Sequence, residues 1–222
     1  RDKVMVAQGY SIAAEPGPAD LAWLAGVIIG DGFVGTDSGR LSLTTPCREI
    51  IARVEHVADS YLNTTVDHQP GRGCQTLTLR ATQETADFAL QLGIRGCKAE
   101  EKQVPQWVQS ASDGEVAGFI AGYLDTDGTV TSSAVVWGSV SRGLLSGVQG
   151  LLARLDIQAS LRLHEPAHER EIMGKPVHAQ DFYTLKVGSK VGTARLAQLL
   201  SLVEPRKAAR LTSLANPSGW QR

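Results

Sequence analysis

The sequence predicts a mixed α/β (α+β) chain folded as two tandem, pseudo-symmetric αββαββα units. Three observations predict it. Residues 24–32 (LAGVIIGDG) and 120–128 (IAGYLDTDG) are near-copies of each other. The acids that close the copies, Asp31 and Asp127, lie 96 positions apart (127 − 31), about the length of one small α/β unit. Between and after the copies, apolar runs of helical period alternate with short β-prone runs bounded by turn residues.

Residues 4–7 read as a short strand, followed by a Gly/Pro-rich linker to Pro18. Asp20 is the expected N-cap of the first key helix, residues 21–29. Its small residues Ala25, Gly26 and Gly30, like Ala121, Gly122 and Thr126 in the second copy, recur near helical spacing and leave a flat face for another backbone. Gly32 and Gly128 follow as flexible residues that let the chain leave the helix. Residues 33–35 and 41–45, with a turn at Asp37-Ser38-Gly39, read as a hairpin. Pro46 then opens a helix with an apolar stripe of Ile50, Ile51, Val54, Val57, Ala58, Tyr61 and Leu62. A second hairpin spans residues 64–80, and a helix from Thr82 to Leu92 stops at Gly93.

Residues 96–105 are a connector, and the second key helix opens at Asp113 or Gly114. The same order then repeats. A strand region covers residues 129–137 and a helix with a leucine stripe covers 141–155. Strands at 157–164 and 181–187 flank a long charged loop, and a closing helix runs from 192 to 203. The expected organisation is a leading segment 1–18, repeats at 19–112 and 113–214, and a tail 215–222.

At 42% hydrophobic and 20% charged, the chain can bury an ordinary globular core. No apolar run nears the roughly 20 residues that span a bilayer, so no membrane is expected. Three cysteines without metal or disulfide spacing point to a reducing, cytoplasmic setting. The five histidines show no metal-ligand spacing. A net charge of −1 leaves no overall basic footprint, so any nucleic-acid face must come from charge segregated on one side.

Packed side by side, the two key helices bring Asp31 and Asp127 to one end, where two helix C-termini already place negative partial charge. Fold stability does not call for two carboxylates there, and a divalent cation explains them. Without metal the two should repel, raising one pKa. A lysine recurs late in each unit, Lys102 before Val104-Pro105 and Lys207 after Pro205-Arg206. Carboxylates around a hard cation with a lysine beside each suit phosphodiester hydrolysis, the lysine stabilising charge or assisting proton transfer.

The paired motifs, the αββαββα repeats and the Lys-x-Val-Pro segment resemble the LAGLIDADG homing endonucleases, specifically the monomeric two-repeat type embedded in inteins. The resemblance covers residues 20–212. It implies two motif helices packed at the centre and antiparallel sheets forming a DNA-binding saddle. It further implies a site-specific endonuclease that cuts both strands of a long asymmetric duplex and leaves short 3′ overhangs. On this resemblance Asp31, Asp127, Lys102 and Lys207 are the catalytic set, and Asp31 and Asp127, with Gly30 and Thr126 before them, hold the metal. That metal is expected to be Mg²⁺, with Mn²⁺ or Ca²⁺ substituting for binding. The partner is double-stranded DNA, which makes the protein nucleoid-associated.

The expected DNA contacts are Arg40, Ser42, Thr44, Arg72, Gln75 and Arg80 in the first half. In the second, richer in basic residues, they are Thr131, Ser133, Trp137, Arg142, Arg162, His164, Arg170, Lys175 and Lys186. One departure makes the halves unequal: Ile29 and Gly30 stand where the second copy has Asp125 and Thr126. The chain opens at Arg1 without methionine, and residues 2–7 look like the end of an intein's N-terminal splicing half. An endonuclease domain separated from its splicing halves is therefore expected. The alternatives are a catalytically decayed LAGLIDADG regulator or an RNA maturase.

Overall fold

The computed structural model describes residues 19–36, 39–172 and 175–216. The strand expected at residues 4–7 lies outside them. The chain order is α1 (Ala19–Asp31), β1 (Gly32–Val34), β2 (Leu41–Thr45), α2 (Arg48–Leu62), β3 (Val66–Pro70), β4 (Gln75–Leu79) and α3 (Gln83–Leu92). A 3-10 turn (Ala99–Glu101) and the short α4 (Gln106–Ser110) lead to α5 (Asp113–Asp127). The second half continues with β5 (Gly128–Val130), β6 (Val135–Ser139), α6 (Arg142–Arg154), β7 (Ser160–Glu165), β8 (His168–Ile172), β9 (Lys175–Ala179), β10 (Phe182–Val187), α7 (Lys190–Leu199) and α8 (Pro205–Ala215).

The antiparallel sheets have matching orders, β1-β2-β4-β3 and β5-β6-β10-β7, so the two halves repeat in space as they do in sequence. Strand alternation sorts each sheet into two faces. One face packs Leu41, Leu43, Leu77 and Leu79, or Val135, Trp137, Leu185 and Val187, into the core. The other carries Ser42 and Thr44 paired with Thr78 and Thr76, or Thr184 and Lys186 paired with Arg162 and Ser160.

The helices α1 and α5 are apolar on nearly every side and are buried from Ala22 to Ile29 and from Phe119 to Asp125. Such helices belong at the centre of the core, not on its surface. Their approach is set by glycine. A Cβ on Gly26 would lie 2.1 Å from the Phe119 carbonyl oxygen, and one on Gly122 would lie 2.0 Å from that of Trp23. Gly118 makes the same kind of contact with Ala19, at 2.4 Å. Gly30 abuts Thr126 and Asp127, which brings the ends of the two helices together.

Several local expectations are corrected. Helix α1 begins at Ala19, so Asp20 lies in its first turn, where Arg53 binds its carboxylate at 2.7 Å. Gly128 is extended (φ −93°), not left-handed, and Gly32 does not appear among the positive-φ glycines. Both are glycine because a Cβ would collide with the last turn of the helix, 2.5 Å from Ile28 Cα or 2.3 Å from Leu124 Cδ1. Tyr61 is 40% exposed and stands off the buried stripe of α2. The charged loop contains the two-stranded β8–β9 ribbon, and two further helices, α4 and α8, were not anticipated.

Candidate active site and nucleic-acid interface

Asp31 and Asp127 are the last residues of α1 and α5, and β1 and β5 start immediately after them. Both residues reach solvent. Burial pushes the Asp31 carboxyl above the usual carboxylate range, against the pull of Lys207 and then Lys102. Burial also raises Asp127, and the charge of Asp31 adds to it, against Lys102 and Lys207. The expected repulsion between the acids thus falls on Asp127.

The lysines are tethered to the same helix ends. Lys207 Nζ donates to the carbonyls of Leu124, Asp125 and Thr126, each at 2.9 Å. Lys102 Nζ donates to Ile29 at 2.9 Å and to Gly30 and Gly32 at 3.3 Å. These carbonyls include last-turn groups left without helix partners, and an ammonium has three N–H donors to offer them. With all three engaged, each ammonium is held in place on its helix end. Burial lowers both lysine pKa values, with Asp127 and then Asp31 opposing at Lys102, and Asp125, Glu204, Asp31 and Asp127 opposing at Lys207.

A lysine was expected beside each acid. Each ammonium is bonded to its own unit's helix end, but the pull on the acids is crossed: Lys207 exerts the larger pull on Asp31 and Lys102 the larger pull on Asp127. Asp31 and Lys207 also line one cleft of about 570 Å³, together with Cys47, Arg48, Thr126 and Arg206. Lys207 lies in the first turn of α8 and not beyond the last helix. Among the described residues no group of three or more His, Cys, Asp or Glu side chains could hold a metal. A cation here would take the two carboxylates and complete its shell with water, phosphate or backbone oxygens, which is a hard-cation donor set. The Gly30 and Thr126 carbonyls already accept from the lysines, and the Thr126 hydroxyl is bonded within its own helix to Gly122 and Tyr123.

The acids make metal-free stability depend on pH. A carboxyl whose folded pKa is raised costs stability above that pKa, and the cost fades as pH falls through it toward the unfolded value. Asp127→Asn is therefore expected to raise the Tm of the metal-free protein at neutral pH. The gap from wild type should narrow on acidification through the raised pKa of Asp127. Thermal melts from pH 7 to 4 in EDTA check this, and a lower Tm for the variant at pH 7 would refute it.

Around these ends, Ser42 and Thr44 lie on the outward sheet face, Thr44 bonded to Thr76 at 2.9 Å. Arg162 and Lys186 lie on the matching face of the second sheet, around a small hollow with Ser160 and Thr184. Arg40 and Arg72 are exposed in loops, and Arg80 is paired with Asp67 at 2.8 Å. Thr131 and Ser133 form the β5–β6 turn, where the Thr131 hydroxyl accepts from the Ser133 and Ala134 amides. His164 is exposed and packs edge-on against Phe182. Arg170 and Lys175 belong to the β8–β9 ribbon, outside the main sheet.

One expected contact is revised, and two lie off the outward strand faces. Trp137 is 0% exposed on the core face of β6, so it contacts no DNA. Gln75 shares the core-side parity of Leu77 and Leu79 at the end of β4, bonded to His68. Arg142 begins α6 and lies on no strand. Alternation along β4 pointed instead to Thr76 and Thr78, and along β10 to Thr184, all missing from the expected set. The three cysteines carry free thiols, and no helix among the described residues is long and apolar enough to cross a membrane.

Residues 114–193 match the model of the LAGLIDADG-like domain. The chain is 32% identical over 202 residues to elongation factor 2 of Methanopyrus kandleri, covering 90% of this chain and 14% of that protein. It is 25% identical over 222 residues to protein RecA of Mycobacterium tuberculosis, covering 93% and 28%. The chain thus spans well under a third of either relative. Among solved structures, homing endonuclease I-DmoI in complex with DNA and Ca superposes with a TM-score of 0.62 at 18% identity, covering 86% of this chain and 96% of that one. The chain carries a LAGLIDADG-like domain on the fold of the LAGLIDADG homing endonucleases.

Proposed function

We propose that the protein is a site-specific double-strand DNA endonuclease built from repeats at 19–112 and 113–214, acting as a monomer. The observation that carries this reading is the junction of α1 and α5. Two carboxylates with raised pKa end adjacent helices there, and two ammonium groups are fixed on the same helix ends. Bound there, Mg²⁺ would lower the pKa of a coordinated water and neutralise charge on the scissile phosphate. Asp31 and Asp127 would hold the cation. Lys102 and Lys207 hold positive charge where the phosphorane develops, without reorganising as it forms. I-DmoI, whose fold this chain shares, has been crystallised with DNA and with Ca or Mn.

The outward sheet faces supply the grip on duplex DNA, with Arg162 and Lys186 on phosphates and hydroxyls such as Ser42, Thr44 and Thr184 nearer base edges. Basic side chains on that face, Arg162 and Lys186 among them, allow DNA binding at a net charge of −1. Lys186→Glu is expected to weaken duplex binding about tenfold near 0.1 M salt and to reduce the magnitude of the salt slope by about one. Titrations at several salt concentrations read both, and an unchanged slope removes Lys186 from the interface.

The two relatives differ in what they are, an elongation factor and RecA, yet each matches this chain over a small share of its length. A segment common to unrelated proteins fits an inserted element, which supports the reading of an intein-borne domain flanked by splicing halves in its host. A nucleoid-associated place in the cytoplasm follows from that reading. The deciding experiment is cleavage of a plasmid library bearing host-derived or random sites, in Mg²⁺ against EDTA. Metal-dependent linearisation at one site supports the endonuclease, with 3′ overhangs read by end sequencing. Tight site-specific binding without cutting moves the protein to the regulator class, and preference for structured RNA over duplex moves it to the maturases.

A further inference from the structure

The second motif carries an acid with no counterpart in the first. Asp125 is 3% exposed, whereas the matching position of the first copy is the buried Ile29. A buried carboxylate is stable only when its oxygens find partners. Asp125 finds them in three places, at the Trp23 indole N–H (2.8 Å), the Val203 amide (3.0 and 3.1 Å) and the Glu204 amide (3.0 Å). Trp23 belongs to α1, Asp125 to α5, and Glu204 is the N-cap of α8. The side chain therefore ties the start of α8 to both motif helices. Three residues further on, Lys207 returns to the carbonyls of Leu124, Asp125 and Thr126.

Lys102 is held differently. Its backbone carbonyl accepts from the Ser141 hydroxyl, and the Glu101 carboxylate just before it accepts from the Lys98 amide within the same turn, not from either motif helix. Its ammonium bonds are also less even, one at 2.9 Å and two at 3.3 Å, against three at 2.9 Å for Lys207.

We propose that Asp125 is a positioning residue that fixes Lys207 at the Asp31 centre, so that the two strand-cutting centres are built unequally and depend on different supports. Asp125 touches neither substrate nor metal in this role. It acts through the α8 N-terminus. The assignment rests on the endonuclease reading for its kinetic consequence but not for its geometry.

The test uses the whole chain with Asp125→Asn, which keeps the size of the side chain but meets one of its N–H partners with an amide donor. Lys207→Met and Lys102→Met identify which strand each lysine serves, on a plasmid labelled on either strand. Asp125→Asn is expected to slow the strand served by Lys207 by tenfold or more and leave the other within about threefold, accumulating nicked circles. Ser112→Ala, which removes the hydroxyl cap at the far end of α5, controls for general loosening and is expected to treat both strands alike. Equal slowing of the two strands by Asp125→Asn, or slowing of the strand served by Lys102, overturns the assignment. A second readout needs no cutting: limited acetylation followed by mass spectrometry should show Lys207 labelled several-fold faster in Asp125→Asn, with Lys102 unchanged. Unchanged labelling of Lys207 overturns the proposal even if the protein cuts DNA. Faster labelling in a protein that never cuts DNA upholds the positioning and refutes the endonuclease reading alone.

Discussion

Asp31→Asn and Asp127→Asn are each expected to abolish metal-dependent cleavage while leaving duplex binding in Ca²⁺ largely intact. A metal ion contributes several kcal/mol of charge stabilisation at a phosphoryl centre. At 1.36 kcal/mol per tenfold, its loss slows cutting on the order of a thousandfold or more. Asparagine keeps the shape of the side chain, and at 127 it also removes the repulsion from Asp31, so the fold should not suffer. The double variant should be little slower than either single one, because each single loss already removes metal-dependent chemistry and the effects of groups that act together are not additive. Single-turnover cleavage in Mg²⁺ beside binding titrations in Ca²⁺ separates the effects. Cleavage within tenfold of wild type in either variant would show that the acid is not a ligand. Loss of binding in parallel would show that the substitution damaged the interface instead.

The helix pair and the two sheets were legible in the sequence because their signals are local. Small residues four apart can only mean close packing, and Leu41-Ser42-Leu43-Thr44 can only alternate across a sheet. What was missed has a weak local signal. Helix α8 buries Leu211 fully and Leu214 in part, so its apolar stripe is short, and the β8–β9 ribbon mixes charged residues with apolar ones outside either four-stranded sheet. The glycines after both acids were read as flexible exits, whereas what their positions demand is the absence of a Cβ against the preceding turn. The larger pull of each lysine on the other unit's acid could not be read at all, because a repeat in sequence does not say which copy's acid a side chain will face. Asp125 was recognised as an asymmetry, but its partners Trp23, Val203 and Glu204 come from distant segments that only the fold assembles.

Gly122→Ala is expected to be the most damaging single methyl in the core. The added carbon would sit 2.0 Å from the Trp23 carbonyl oxygen, 2.9 Å from its carbon and 3.0 Å from the Val27 amide nitrogen. All three are backbone atoms of a buried helix, so no side chain can swing away. The helices cannot slide either, because Gly26 meets the Phe119 carbonyl of the opposite helix just as closely. Overpacking usually costs about 1–3 kcal/mol, and a rigid backbone contact belongs at or above the upper end. For a chain of this size that lowers Tm by roughly 10 °C. Function should fall further than stability, since parting α1 from α5 moves Asp31 relative to Asp127, and a misplacement of about 1 Å can cost a hundredfold in rate. Gly150→Ala on α6 is the matched control. Its new methyl would meet nothing within 4 Å, and the exchange should stabilise by about 0.5–1 kcal/mol through helix propensity. Thermal melts of both variants decide the matter, and a Gly122→Ala protein as stable as wild type would mean that the two motif helices do not pack through their glycines.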